Sequence, residues 1–387
     1  MGNVKINFNY SYKDILVVPS SALKAKKIFV MALGLFGAYL FHTIFIYLAN
    51  SINGEHVETV YTFFGMIPTT IYQFDFFYPI VVYSIGLLLA LISIAIGFMA
   101  VAIIDFEAMR GNQFLSWWQA LKFSLKKLSQ LILSWVAIIL FIGFIVLLAF
   151  LVGLIARIPY VGEFIYSLFF FFPNFIVSLF TVLAVLVLIL SMLVMPAATA
   201  ADRNNETFNS ILETFSTIIR RPVRWILYTI YSLITAKVCG FVFAYFAFRA
   251  IQFLQISAQL GGGEKVNAIL SAGAAHLPYR SELVEFTTNL FPGINFGFDI
   301  DKLFTVTTEG GVASCIMAIS LVLIFLTVWG YILSIIATAQ SYAFAVIRKN
   351  RDGFVIGDER PLFYKEEWVN PPIEDEESEP EDNNTTS

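Results

Sequence analysis

The chain has 387 residues, of which 58% are hydrophobic, 16% aromatic and only 13% charged, and its mean hydropathy is +0.77. Soluble domains carry about 25% charged residues, so this composition excludes an ordinary soluble domain, a disordered chain and a disulfide scaffold, and it favours a protein embedded in lipid. The formal net charge is −4, but 12 of the 28 acidic residues follow Arg351, and the net positive remainder suits contact with anionic lipid and does not indicate nucleic-acid binding.

Six stretches are long and apolar enough to cross a membrane. A crossing helix needs about 20 mostly apolar residues, because each residue rises about 1.5 Å across a hydrocarbon core about 30 Å thick. The stretches are residues 28–49, 79–104, 128–156, 164–195, 225–250 and 312–336. The first is too long for the apolar region of a cleavable signal peptide, and we interpret it as a span. The sequence therefore predicts an all-α integral membrane protein with six transmembrane helices.

Basic residues predict the orientation of these spans. With the N-terminus inside, the inside segments hold 18 lysines and arginines, whereas the outside segments hold four. Basic loops resist translocation, so the more basic side of a membrane protein is the cytoplasmic one. We therefore expect both termini in the cytoplasm.

A threefold internal repeat marks the inner ends of the even-numbered spans. Each end is rich in alanine and is followed by an arginine, an asparagine two residues later and then a phenylalanine. These residues are Arg110, Asn112 and Phe114 in the first copy, Arg203, Asn205 and Phe208 in the second, and Arg348, Asn350 and Phe354 in the third. Arginine in the last turn and asparagine just past it stop a helix, which explains the recurrence structurally; a shared functional loop is the alternative interpretation.

Amphipathic segments follow the first two of these helix stops. In residues 117–128 apolar and basic side chains occupy different helix faces, and residues 208–219 follow the i, i+3, i+4, i+7 pattern of a helix with one apolar face. The N-terminal stretch SSALKAKKIF is similar to a shortened copy. Such helices lie in the membrane interface with basic and tryptophan side chains at headgroup level. The predicted interface residues are Trp117, Trp118, Lys122, Lys126, Lys127, Arg220, Arg221, Arg224 and Trp225.

The predicted repeating unit is an interfacial helix, an outward span, an external loop and an inward span. Three such units, residues 15–112, 113–205 and 206–354, make up a single polytopic domain. Each unit has an even number of spans, so the three share one orientation, and we expect a pseudo-threefold axis along the membrane normal. The third unit has a long external loop, residues 251–311, for which we expect short amphipathic helices. The acidic cytoplasmic tail, residues 355–387, is predicted to be disordered.

The second unit carries a resemblance to known proteins. A span ends at Pro196, a polar turn follows at 202–205, an amphipathic segment covers 208–219, and Arg220, Arg224 and Trp225 open the next span. Over residues 104–234 this succession resembles the membrane domains attached to some glycerophosphodiester phosphodiesterases and the YciC-like inner-membrane proteins. The resemblance implies a polytopic protein of a prokaryotic cytoplasmic membrane, and it brings no catalytic residues to this region.

Lys237 is an ionisable residue placed deep within a predicted span. It stands 12 residues beyond Trp225, where its stem of about 6 Å is too short to reach the interface comfortably. An ionisable group at this depth costs at least ~2.5 kcal/mol and is a functional hypothesis by default. We keep three interpretations open. Lys237 has structural partners such as backbone carbonyls or Tyr228, Tyr231 and Tyr245; it faces a water-filled cavity that admits an anion; or the span boundary is misplaced.

Pro173 lies within the long fourth span. Proline removes a backbone donor and kinks a helix, so we expect a local irregularity at this point. The alternative is that residues 164–172 lie flat or re-enter the membrane before the crossing begins.

Enzymatic and metal-binding motifs are absent from the sequence. It contains no GxxxxGK[ST] phosphate loop, no HExxH, no GxSxG and no CxxC pair, and its two cysteines and three histidines are scattered, so we expect no enzyme, cofactor or metal. The preferred hypothesis is a transporter-like membrane protein that handles an amphiphile, lipid or small anion, with Lys237 as counter-charge and basic interfacial helices collecting anionic headgroups. The alternative is a structural or assembly subunit that binds a membrane protein partner through the external loop and the tail.

Overall fold

The computed structural model describes residues 8–64, 74, 76–276 and 311–363. Within these residues six helical segments are long and apolar enough to cross a membrane, which confirms the all-α membrane fold. The α-helices in chain order are α1 (Tyr12–Leu16), α2 (Val18–Ala22), α3 (Ala25–Ile52), α4 (Val57–Phe64), α5 (Phe77–Met109), α6 (Trp117–Lys126), α7 (Leu128–Ile155), α8 (Val161–Ile165), α9 (Phe171–Ala201), α10 (Thr207–Arg220), α11 (Pro222–Gly262), α12 (Glu264–Ala275) and α13 (Val312–Asp352). The six spanning segments are α3, α5, α7, α8 with α9, α11 and α13.

The fourth span contains the irregularity predicted near Pro173. A π-helical turn, Tyr166–Phe170, joins α8 to α9, and Pro173 lies in the first turn of α9. A proline is tolerated there because its missing N–H is not needed for an intrahelical bond. The span is therefore one helical segment with a local change of pitch.

Five of the six spans are longer than predicted. α5 and α13 continue past residues 104 and 336 to Met109 and Asp352, and α11 continues past residue 250 to Gly262. At about 1.5 Å per residue, helices of 33 and 41 residues reach about 50 and 60 Å, well beyond a hydrocarbon core about 30 Å thick. The predicted ends of the second and sixth spans were too early because polar side chains were placed outside the helices, whereas the extended ends of α5 and α13 bury side chains such as Asp105 and Gln340.

The even-numbered spans form the centre of the bundle. α5, α9 and α13 contact one another, while α3 packs on α5 and α13, α7 packs on α9, and α11 packs on α13. Where α3 meets α5, a Cβ added to Gly34 would lie 3.0 Å from the carbonyl oxygen of Ser93 and 3.2 Å from the Cα of Gly97. Glycine at this crossing therefore permits the close backbone approach that is typical of membrane helices.

Four short helices, α1, α2, α6 and α10, lie on one side of the bundle in a cyclic arrangement. α6 packs on α5, α10 packs on α9, and α1 and α2 pack on α13. Each predicted unit thus places its interfacial helix on the even span of the preceding unit, and the first unit uses the even span of the third. Residues 8–24 and 353–363 meet on this side, where the backbone N–H of Gly357 donates to the hydroxyl of Tyr10 at 2.7 Å. We call it the terminal side; the rotational relation among the units stays a prediction.

The three helix stops differ in register. α5 ends beside Arg110 with Gly111 at φ 100°, and α9 ends just before Arg203. In the third copy Arg348 and Asn350 remain helical, and α13 is ended by Gly353 in the left-handed conformation. The first two arginines therefore stand at or just past the end of their helix, as predicted, whereas Arg348 does not. In the first and third copies a glycine, Gly111 or Gly353, follows the last helical turn and adopts positive φ without strain.

Two predicted loop assignments need correction. Residues 355–363 were predicted to be disordered, but they contain a 3₁₀ turn, Ile356–Asp358, whose Ile356 is fully buried. The predicted external loop at 251–311 begins later, because α11 continues to Gly262 and α12 then packs on α11 and α13. Residues 277–310 and 364–387 lie outside the described residues.

Candidate functional site

A buried ion pair joins the first two spans near the terminal side. Lys27, in the first turn of α3, is 1% exposed, and its ammonium contacts the carboxylate of Asp105 in α5, which is 2% exposed. The ammonium also donates to the hydroxyls of Ser21 at 2.9 Å and Thr338 at 3.2 Å, so its three donors all have partners. The Ser21 hydroxyl in turn lies 2.8 Å from that of Tyr342. This Lys27 cluster joins α2, α3, α5 and α13.

Sequence reasoning missed this cluster. It ended the second span at residue 104, whereas α5 continues through Asp105 to Met109. The sequence did contain a signal for this pair. Lys27 stands near the start of the first span and Asp105 near the end of the second, and in two antiparallel spans these positions lie at a similar depth in the membrane. The 78 residues that separate the two partners hid it from any local pattern.

The second unit holds its spans together in a related way. Lys127, at the start of α7, is 5% exposed, and its ammonium donates to the backbone carbonyl of Asp202 and lies 4.0 Å from the Asp202 carboxylate. That carboxylate also accepts hydrogen bonds from Gln130 at 2.8 Å, from Asn209 at 2.8 Å and from the backbone N–H of Glu206 at 2.9 Å. We call this set the Lys127 cluster. Its Asp202 lies at the junction of α9 and α10.

Environment shifts the pKa values of both charged partners. Burial raises the pKa of Asp202, but hydrogen bonds from Asn209, Gln130 and Glu206, together with the charge of Lys127, outweigh it, so the pKa is lowered overall. Burial lowers the pKa of Lys127, and the nearby carboxylate of Asp202 opposes that change. The folded state therefore favours an ionised Asp202.

We predict that Asp202→Asn removes a pH-dependent part of the stability. Because the folded-state pKa of Asp202 is lowered, the ionised carboxylate stabilises the folded state fully at pH values above its ordinary pKa of about 3.9. This contribution to the free energy of unfolding is lost as the pH falls through the lowered pKa of the folded state. Near neutral pH we expect the variant to lose about 1 to 3 kcal/mol of unfolding free energy, and in acid the difference should narrow. Thermal unfolding in detergent between about pH 2 and 6 measures this. The control is Glu206→Gln, whose side chain is exposed; an Asp202→Asn deficit that is constant with pH contradicts the prediction.

The third unit uses a neutral contact at the corresponding place. Trp225, in the first turn of α11, is 3% exposed, and its indole N–H donates to the Gln340 side chain at 3.0 Å. Gln340 in turn donates to the hydroxyl of Thr229 at 3.0 Å. Trp225 and Lys127 were predicted to face lipid headgroups, but the side chains of both are buried, because a polar partner at the following even span takes up their hydrogen-bond donors.

The repeat arginines bind acidic side chains at the terminal side. Arg110, whose side chain is fully buried, pairs with Glu107 at 3.1 Å and with Glu359, and Arg203 pairs with the same Glu359 at 3.2 Å. Arg348 lies 3.7 Å from Glu213 of α10. The arginines therefore do more than end helices, since the first two fix the segment that carries Glu359.

Residues 354–363 form a strap across the ends of α5 and α9. Besides the Glu359 pairs, the backbone N–H of Leu362 donates to Glu107 at 3.0 Å, and Arg203 donates to the carbonyl of Arg360. Phe363 packs edge-on against Phe123 of α6. The strap thus connects the end of the described chain to the first and second units.

The remaining predicted interface residues lie at the terminal side with more accessible side chains. Trp117, Trp118, Lys122, Lys126, Arg220 and Arg224 are exposed, and Arg221 is half-buried with a hydrogen bond of 3.2 Å to the carbonyl of Asn350. The Lys122 ammonium lies 5.2 Å from the ring centre of Trp118. Among apolar side chains of α10, Phe208, Leu212 and Ile219 are also exposed. Accessible basic and large apolar groups therefore occur together on α6 and α10.

Lys237 lies on the outer surface of α11. Its side chain is exposed, so in this structure it does not occupy an enclosed cavity. The three tyrosines named with it are half-buried and do not form one site: Tyr231 donates to the carbonyl of Leu16 at 3.4 Å, whereas Tyr245 lies under the guanidinium of Arg249, 5.2 Å away. The placement does not support Lys237 as the counter-charge of an internal anion site.

Depressions in the described part of the protein include the following three. An apolar groove of about 340 Å³ opens between α7 and α9 and is lined by residues such as Val146 and Val182. A polar cavity of about 200 Å³ beside the strap includes Arg203 and Arg348. A third, of about 480 Å³, lies between α10 and the end of α13 and combines charged with apolar side chains; we call it the α10–α13 cavity.

Comparison with known proteins adds no assignment. No family model matches the chain, and neither a curated protein nor a solved structure matches it.

Proposed function

We propose that the chain is a non-enzymatic protein of a prokaryotic cytoplasmic membrane, with its terminal side in the cytoplasm, and that it binds anionic lipids through its interfacial helices. The observation that carries the proposal is the joint exposure of tryptophan, basic and large apolar side chains on α6 and α10. Tryptophan favours the level of the headgroups, and each lysine or arginine near an anionic leaflet contributes about 1 kcal/mol of attraction. The resemblance to prokaryotic polytopic proteins supports the choice of membrane.

The interior of the bundle supports a lipid-binding role better than conduction of a solute. Side chains of α5 from Phe98 to Met109 are buried, and the Lys27 and Lys127 clusters close the terminal half with internally paired polar groups. On α7, by contrast, Leu140, Phe144 and Phe150 are each more than half exposed. The exposed apolar surface of α7 suits contact with lipid. The packed and paired interior, by contrast, leaves little room for a solute.

The proposal predicts a loss of lipid preference when exposed basic residues are neutralised. We expect the wild-type chain in detergent to bind dioleoylphosphatidylglycerol more tightly than dioleoylphosphatidylcholine. The triple variant Lys122→Gln, Lys126→Gln and Arg224→Gln should reduce this preference by about fivefold for each charge that contributes, because about 1 kcal/mol per charge is lost. Native mass spectrometry of lipid-bound species measures the occupancies.

The matched control removes basic charge from the opposite side. Arg157→Gln with Lys265→Gln neutralises two exposed residues that do not belong to the interfacial helices, and it should leave the preference intact. A triple variant that keeps its full preference for the anionic lipid would refute the proposal and favour the alternative of an assembly subunit. Equal effects of the two sets of substitutions would also refute it, because the attraction would then depend on net charge alone.

A further inference from the structure

The α10–α13 cavity is both charged and apolar. Its charged side chains are Arg220 and Glu213 of α10 and Arg351 and Asp352 of α13, whose formal charges sum to zero. Leu212 and Ile219 of α10 line the same cavity and are about half exposed. A cavity with balanced charges beside exposed apolar side chains fits a ligand that has both a dipolar head and an apolar body.

Arg351 organises the acidic half of this cavity. Its side chain is largely buried, and it donates to the Oε2 atom of Glu213 at 2.6 Å and to the Oδ2 atom of Asp352 at 2.7 Å. Arg351 is therefore neutralised by two carboxylates. Its hydrogen bonds also fix the positions of these carboxylates at the edge of α10.

Three polar groups of the cavity keep hydrogen-bonding capacity. Arg220 is exposed and makes no hydrogen bond or ion pair with the residues that the structure describes. The Ser216 hydroxyl also has no hydrogen-bond partner among these residues, and Asp352 accepts only through Oδ2, which leaves Oδ1 available in the described structure. One guanidinium, one hydroxyl and one carboxylate oxygen therefore remain for a ligand.

We infer that the α10–α13 cavity binds the headgroup of phosphatidylethanolamine from the adjoining leaflet. The phosphate lies at Arg220 and Ser216, because guanidinium and hydroxyl donors match phosphate oxygens. The primary ammonium donates to Asp352, and the acyl chains pass over Leu212 and Ile219. The inference rests on the proposed function in one respect, since it requires the terminal side to lie at headgroup level.

Other common lipid headgroups match the cavity less well. Phosphatidylglycerol brings a phosphate but no cation for Asp352. Phosphatidylcholine brings a cation without N–H donors, so it cannot hydrogen-bond a carboxylate. The distinguishing contact is thus a hydrogen bond between an ammonium and a carboxylate, and it is the contact to test.

A lipid series tests this contact on the wild-type chain. The probes are dioleoylphosphatidylethanolamine, its N-methyl and N,N-dimethyl derivatives, and dioleoylphosphatidylcholine, each added to the full chain in detergent and counted by native mass spectrometry. Affinity should fall along the series as N–H donors are replaced, by about tenfold in total, which is the effect of one charge-assisted hydrogen bond. Equal binding of the first and last lipids would overturn the inference.

Variants then assign the contact to residues. Asp352→Asn should remove the difference between phosphatidylethanolamine and phosphatidylcholine, and Arg220→Gln should weaken both by about tenfold because both carry the phosphate. Asp358→Asn and Arg157→Gln change an exposed acid and an exposed base outside the cavity, and they should leave the series unchanged. A difference that survives Asp352→Asn would overturn the assignment. Melting temperatures of all variants show that each is folded.

Failure of this inference can be told apart from failure of the proposed function. The triple variant used for the anionic preference leaves Arg220, Ser216 and Asp352 in place, so it should keep the response to headgroup methylation. Conversely, Asp352→Asn should keep the preference for phosphatidylglycerol over phosphatidylcholine.

Discussion

We expect Lys27→Met to lower the free energy of unfolding by about 3 to 5 kcal/mol, because it leaves the carboxylate of Asp105 buried without its cation. The Ser21 and Thr338 hydroxyls lose their shared partner in the same variant. Unfolding of the purified chain in mixed detergent micelles, followed by tryptophan fluorescence, gives this free energy. The effect should be large because Lys27 connects α3 and the neighbouring α2 to α5 and α13, which are distant in sequence.

A double variant separates the ion pair from simple side-chain packing. In Lys27→Met with Asp105→Leu both charges are replaced by apolar groups, and we expect most of the lost stability to return, since a buried pair is often no better than packed hydrocarbon. Lys122→Met changes an exposed lysine and should shift stability by no more than about 0.5 kcal/mol. If Lys27→Met changes the free energy of unfolding as little as Lys122→Met does, the ion pair does not hold the spans together.

The second large effect is expected at the strap. Arg110 and Arg203 bind the same carboxylate of Glu359, but the side chain of Arg110 is fully buried and that of Arg203 is 34% exposed. Arg110→Gln leaves the fully buried carboxylate of Glu107 without a cation and leaves Glu359 with only the partly exposed Arg203, and it should cost about 3 to 5 kcal/mol. Arg203→Gln breaks a solvent-accessible pair and should cost about 1 kcal/mol or less.

Proteolysis reports directly on the strap in these two variants. Trypsin does not cut the bond between Arg360 and Pro361, but a glutamate-specific endoproteinase can cut after Glu359 within the strap once that side chain leaves its two arginines. We expect cleavage there to be several-fold faster in Arg110→Gln than in the wild type, with Arg203→Gln in between, because local opening exposes the backbone to the protease. Similar cleavage rates in the two variants would show that burial of the arginine does not decide the strength of the strap.

These experiments would also indicate what the terminal half of the bundle does. The Lys27 cluster joins the first and third units, the strap joins the first and second units to the end of the described chain, and the Lys127 cluster closes the second unit. Together they connect the three units on the side where α6 and α10 lie. Such connections would hold the exposed basic side chains and the α10–α13 cavity at a fixed depth, which a headgroup-binding surface requires.

The sequence by itself determined the class of fold and the positions of the spans. Apolar stretches of sufficient length and basic segments between them are local properties, because lipid demands satisfied backbone hydrogen bonds along every crossing. The interfacial helices were predicted for a similar reason, since their apolar and polar faces recur with the period of a single helix. Trp118 and Lys122 on α6 are exposed, as expected for the polar and boundary positions of an amphipathic helix.

The tertiary structure alone decided which polar side chains are paired inside the protein. Lysine and tryptophan are typical of a membrane interface, so the sequence alone places Lys127 and Trp225 there. Only the register of α7 on α9 and of α11 on α13 brings them to their hydrogen-bond acceptors at Asp202 and Gln340. Lys237 has the depth of a buried charge, but the rotation of α11 about its axis places it on the outer surface. Helix rotation and register depend on packing between residues distant in the chain, and no periodicity within one helix encodes them.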